Sequence, residues 1–184
     1  NILIGEGKSQ LDVTSLTPSE KLAKAGIAYI LQDKSIFPGM TVEENLWMGG
    51  FLKNQAAESK AAAERVFDKY PQLAARRRHQ AKVLSGGERR LLEISRALVM
   101  NPDVLLVDEP SIGLEPKFID MVFEILNDLQ HNEGKTIIMV EQNAKKGLEF
   151  ADIGYVMVSG KIAIAGKGSD LLENPKVGEL FLGG

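Results

Sequence analysis

Asp108 and Glu109 close a run of apolar β-formers, Val104-Leu105-Leu106-Val107, and this is where chemistry is first suggested. A strand of that composition, buried in a parallel sheet, delivers its last residues to the sheet's C-terminal edge. Open α/β sheets bind their ligands at that edge. Two carboxylates placed there suit nucleoside triphosphate chemistry, where one holds a divalent cation on the phosphates and a neighbour orients the attacking water. Read alone, Asp-Glu-Pro describes an ordinary strand-to-turn transition equally well.

Ser85-Gly86-Gly87-Glu88 lies upstream and has the form of a capping box. Its two glycines cost helix propensity. Without Cβ atoms they let a phosphate approach the free N–H groups and positive dipole end of a helix. The helix that follows, from Glu88 to Met100, sets Leu91, Ile94 and Leu98 on one face with Leu92 beside them, and Asn101-Pro102 stops it. The carboxylate strand comes directly after.

Ser-Gly-Gly-Glu, Arg96-Ala97-Leu98, Asn101-Pro102 and then Leu-Leu-Val-Asp-Glu-Pro-Ser stand in an order that resembles the ATP-binding cassette (ABC) ATPases. Ser85 to Glu88 looks like their signature motif and Val104 to Glu109 like their Walker B strand. The resemblance implies an α/β P-loop NTPase fold with a mostly helical subdomain inserted between strands. It implies ATP and Mg²⁺ as cofactors, with two cassettes sandwiching two ATPs. Each ATP is then expected between one subunit's phosphate loop and Ser85, Gly86, Gly87 and Glu88 of the other. By the same resemblance Asp108 holds Mg²⁺ through water, Glu109 polarises the attacking water, and Gln32 senses both.

The elements that must position these residues can be taken in chain order. Asn1 to Gly5 reads as a short strand remnant, followed by Gly7-Lys8-Ser9. The phosphate-loop motif needs a glycine where Ile2 stands and a helix after the Ser, and neither is present. A polar turn between two strands is expected instead. The chain is therefore expected to lack its N-terminal portion with the phosphate loop, and to bind MgATP weakly alone. Thr17-Pro18-Ser19-Glu20 is a second capping box, opening a helix that ends near Gly26. Ile27 to Leu31 reads as a buried strand delivering Gln32, which corresponds to the Q-loop of the family. Ser35-Ile36-Phe37-Pro38 and a third capping box, Thr41 to Glu44, continue that pattern. Helices are expected through Met48 and from about Asn54 to Tyr70. Arg76-Arg77-Arg78-His79 reads as a solvated helix end, since no aromatics interleave for nucleic-acid contact.

Three sections result: a core remnant over 1–34, a helical and signature subdomain over 35–100, and the rest over 101–184. Ser111 to Pro116 corresponds to the D-loop, with Glu115 where many relatives carry Asp. The helix Lys117–Gln130 puts Phe118, Val122, Ile125 and Leu129 on one face. Thr136 to Val140 reads as another buried strand, ending in Glu141-Gln142-Asn143. Most ABC ATPases have a His at Gln142, which contacts the γ-phosphate. Gln142 can donate a hydrogen bond there but cannot titrate near neutrality. The tail reads as a strand pair, Gly154–Ser159 and Ile162–Ala165, and a helix from Ser169.

Glu-Gln-Asn-Ala, Ser-Ile-Phe-Pro and Thr-Val-Glu-Glu-Asn-Leu together resemble an ATPase of branched-chain or neutral amino-acid importers. That resemblance implies transmembrane permease subunits and a second ABC ATPase as partners, and a periplasmic or extracellular substrate-binding protein indirectly. It places the chain at the cytoplasmic face of the cell membrane. An exporter or lipid-transport ATPase and a non-transport ABC module are the alternatives.

Composition sets bounds on all of this. The chain has 184 residues, 44% of them hydrophobic, which is enough for one real core. A net charge of −3 argues against a general nucleic-acid binder. The absence of cysteine excludes disulfides and thiolate metal sites and sits easily with the cytosol. No apolar run approaches the ~18–20 residues that span a bilayer, so membrane association is expected through a partner.

Overall fold

Thr17, Thr41 and Ser85 each cap a helix with their hydroxyl and take a glutamate three residues on in return. These local boxes fix where three helices begin, and the expected starts hold. The computed structural model describes residues 1–5, 10–32 and 35–182. The turn expected at Gly7-Lys8-Ser9 lies outside the described residues. Its flanks, β1 (Leu3–Ile4) and β2 (Leu11–Asp12), pair antiparallel.

After α1 (Pro18–Ala25), Gly26 adopts φ 61° and turns the chain into β3 (Ile27–Ile30). Next come α2 (Val42–Gly49), α3 (Ala56–Lys69), the short α4 (Pro71–Ala74) and α5 (Gly86–Leu98). Then follow β4 (Val104–Asp108), α6 (Pro116–His131) and β5 (Thr136–Val140). Among the described residues β3, β4 and β5 form a parallel sheet in that order, with β4 central. All three C-termini therefore lie along one edge. Gln32 follows β3, Asp108 and Glu109 end and follow β4, and Gln142 stands just past β5.

Two cores meet at α5. Leu91 and Leu92 join Val42, Leu46, Val66 and Phe67 among the helices. Ile94 joins Leu105, Val107, Val122 and Leu126 between the sheet and α6. The signature helix is thus gripped from both sides. Its face is wider than the apolar spacing indicated, because Arg90, Glu93 and Ser95 are buried too.

Two expectations are corrected. Thr136 to Val140 is not a buried strand: Ile138 is 57% and Val140 62% exposed. Only Ile137 and Met139 turn toward the core against α6, because the described residues cover one face of β5 and leave the other open. Within β3, Tyr29 likewise faces outward. Nor is the arginine run merely solvated. Arg77 grips both oxygens of Glu64 at 2.7 and 3.2 Å and reaches Glu43 at 3.0 Å, tying α2 to α3.

The remaining chain packs on its own small core of Leu148, Val156, Leu171 and Val177. It comprises α7 (Ala144–Phe150), the β6 (Ile153–Val158) and β7 (Lys161–Lys167) hairpin, α8 (Gly168–Leu172) and α9 (Pro175–Val177). Ser159 and Gly160 both take positive φ, 49° and 77°, as a tight hairpin turn requires. No helix among the described residues is long and apolar enough to cross a membrane.

Candidate functional site

Glu109 sits one residue past β4 with φ 42°, a left-handed conformation that is uncommon for a side chain of this kind. Its N–H donates to the Val140 carbonyl at 2.8 Å, so the turn is held against the end of β5. The side chain is gripped from both sides. Gln32 Nε2 donates to Oε2 at 3.1 Å and Gln142 Nε2 donates to Oε1 at 3.1 Å. Three sheet ends thus converge on one carboxylate. Two amide donors fix its orientation. A carboxylate so aimed can accept a proton or a hydrogen bond from water.

Asp108 is the last residue of β4 and is exposed at the same edge. Among the described residues no group of three or more His, Cys, Asp or Glu could hold a metal ion by itself. Mg²⁺ does not need one, since it is bound by one or two protein oxygens plus water and substrate phosphates. The hard oxygens of Asp108 and Gln32 are a donor set of that kind.

At the head of α5 the Ser85 hydroxyl accepts the Glu88 N–H at 3.3 Å, and Glu88 Oε2 takes the Ser85 N–H at 2.9 Å. Glu88 Oε1 meets Arg76 Nε at 3.1 Å. The Ser85 N–H, with Arg76 adding to it, holds the Glu88 carboxyl below its ordinary 4.5. Glu88, expected beside the nucleotide, thus also shapes its own loop. The two glycines differ. A Cβ on Gly86 would meet only Leu114, at 3.8 Å, so that position is open. A Cβ on Gly87 would overlap the Phe118 ring, so tight packing on α6 by itself demands glycine there.

Several residues of the site were passed over in the sequence. Asn45 is fully buried and its amide binds both the N–H and the carbonyl of Phe37, as well as Thr41 O, bracing the loop after Gln32. Glu141 takes the Ser111 hydroxyl at 2.8 Å, the Ser111 N–H at 3.2 Å and the Asn143 N–H at 2.7 Å, locking the turn after Glu109 to the end of β5. Arg90, also buried, reaches main-chain carbonyls beside both Gln32 and Glu109. The one available signal was the Arg90 and Glu93 pair at i,i+3 beside an apolar face.

Comparison with known proteins places this edge in context. A family model described as ABC transporter matches residues 3–112. The high-affinity branched-chain amino acid transport ATP-binding protein BraG of Pseudomonas aeruginosa is 41% identical over 167 residues, spanning 91% of this chain and 71% of that one. The lipopolysaccharide export system ATP-binding protein LptB of Haemophilus influenzae is 31% identical over 171 residues, spanning 92% and 70%. Among solved structures, an ATP-binding cassette of an ABC transporter in its ADP conformation superposes with TM-score 0.77 at 30% identity. That match covers 95% of this chain and 74% of the other.

Proposed function

The chain belongs to the ABC transporter family as an ATP-binding subunit, and from that premise we propose that, completed by a phosphate loop, it hydrolyses MgATP to drive import of branched-chain or neutral amino acids. The observation that carries the hydrolytic reading is the grip of Gln32 and Gln142 on Glu109. Glu109 accepts a hydrogen bond from the attacking water and polarises it. The two amides keep the carboxylate aimed. Asp108 and Gln32 would hold Mg²⁺, which would neutralise charge on the phosphates. The Ser85 hydroxyl and the first-turn N–H groups of Gly86 and Gly87 are offered to a triphosphate carried by a second ABC ATPase, and Glu88, holding the Ser85 N–H, keeps that loop in shape. Permease subunits anchor the pair at the cytoplasmic face of the membrane, and a substrate-binding protein delivers the solute from outside.

The amino-acid reading is supported by the higher identity to BraG and by the Glu141-Gln142-Asn143-Ala144 tract. A lipid-export ATPase is the second reading, favoured by the similarity to LptB. The test is transport in vesicles holding the protein with its permease subunits. ATP-dependent uptake of leucine, abolished by Glu109→Gln, is the expected result. ATP hydrolysis stimulated by lipopolysaccharide and indifferent to amino acids supports the lipid-export reading.

A further inference from the structure

Arg90 lies one turn into α5, with only 4% of its surface exposed. Its guanidinium makes four contacts. Nη1 donates to Leu31 O at 2.8 Å and to Glu93 Oε2 at 2.8 Å, Nη2 to Asp108 O at 3.2 Å, and Nε to Pro110 O at 3.2 Å. These three carbonyls share a property. Each belongs to the peptide unit that leads into a residue of the site or its turn: Leu31 into Gln32, Asp108 into Glu109, Pro110 into Ser111. A peptide unit is planar, so fixing its carbonyl fixes the N–H on the other side and restrains φ of the next residue.

The restraint matters most at Glu109. The peptide plane before it is pinned at both ends, by Arg90 on the Asp108 carbonyl and by the Val140 carbonyl on the Glu109 N–H. That plane sets the φ of 42° that turns the carboxylate toward Gln32 and Gln142. A non-glycine residue does not hold such a conformation unless its surroundings over-determine it.

We infer that Arg90 is a positioning residue for hydrolysis, holding the backbone of Gln32 and Glu109 in the geometry that aims the Glu109 carboxylate at water. This rests on the roles given above to Glu109 and Gln32. Glu93, itself buried, fixes the rotation of the guanidinium and balances its charge. Lysine cannot replace the arginine, because a single ammonium group lacks the planar fork that spans three carbonyls on two strand ends. Because Arg90 rises from the helix headed by Ser85-Gly86-Gly87, it also ties that helix to the subunit's own Glu109.

Two variants test this in the protein assembled with its permease subunits. Arg90→Lys keeps the charge beside Glu93 and loses the fork. Arg90→Met with Glu93→Leu removes the buried pair together, a change that cores often tolerate. The expected result is cooperative melting, kcat reduced at least tenfold, and KM for MgATP within about twofold of wild type. Wild-type kcat in either folded variant overturns the inference, as does a loss carried by KM alone. Failure of both variants to fold makes Arg90 a stability residue only, and overturns it equally. Glu109→Gln is measured alongside. If it turns over normally, the assignment of Glu109 has failed. If it is inactive while the Arg90 variants are not, only the present inference has.

Discussion

Gln142 Nε2 stands 3.1 Å from Glu109 Oε1, joining the second residue past β5 to the first past β4 across 33 positions of sequence. The helix that follows is capped by Asn143, whose Oδ1 accepts the Lys146 N–H. Gln142 is thus free of capping and directed at the carboxylate.

The first prediction concerns that amide. Gln142→Ala leaves Glu109 held on one side only, by Gln32. Turnover is expected to fall by one or two decades, with a smaller change in ATP affinity. Gln142→His keeps a donor, retains activity and adds a pH dependence near the imidazole pKa of ~6.5. Rates measured in the assembled transporter decide it, and an alanine variant with wild-type kcat removes Gln142 from the site.

Glu109→Gln is expected to behave differently. It keeps the shape and deletes the charge that polarises water. Hydrolysis falls by orders of magnitude while ATP-dependent association of two subunits persists, read by gel filtration with ATP. A loss within about threefold, ~0.65 kcal/mol of barrier, excludes Glu109 as the base.

Gly86 and Gly87 separate chemistry from packing. Gly87→Ala drives a methyl into the Phe118 ring, and overpacking of this kind costs about 1–3 kcal/mol. Phe118→Leu in the same chain restores most of the lost melting temperature. Gly86→Ala meets open space and raises helix propensity, so the fold holds or gains. Its turnover nonetheless drops, because the methyl stands where a phosphate must approach. Melting curves and ATPase rates on both variants give opposite rankings.

Glu88 supplies a pH signature. Its carboxyl is held below 4.5, first by the Ser85 N–H and then by Arg76. A group whose folded pKa is depressed contributes stability that is complete above its unfolded value and is lost as pH falls through the folded one. The melting-temperature gap between wild type and Glu88→Gln is therefore widest above pH 4.5 and closes at more acid pH. A gap independent of pH shows that the charge contributes nothing.

The sequence was most informative where partners are near neighbours. All three capping boxes are i,i+3 patterns and formed where their residues stood. The strand ending in Asp108 and the helix at Ser85 were legible from apolar runs bounded by breakers. The long-range grip was not. Arg90 meets Leu31 across 59 positions and Ser111 meets Glu141 across 30, and no local pattern encodes either. The packing demand at Gly87 was not legible either, because the ring of Phe118, far along the chain, cannot be foreseen from propensity. Burial of β5 was overestimated for a related reason: an apolar run says that a strand has two apolar faces, not that both are covered.

That half-covered strand has a practical consequence for anyone preparing the protein. Thr136 to Val140 holds five residues without charge or proline, and Ile138 and Val140 present their side chains outward. An uncharged, β-prone strand at a sheet edge is a template on which strands of other molecules add. Among the described residues, β5 is therefore where such addition is expected. Ile138→Lys, which sets a charge on that exposed face, is expected to lower self-association of the chain as read by light scattering.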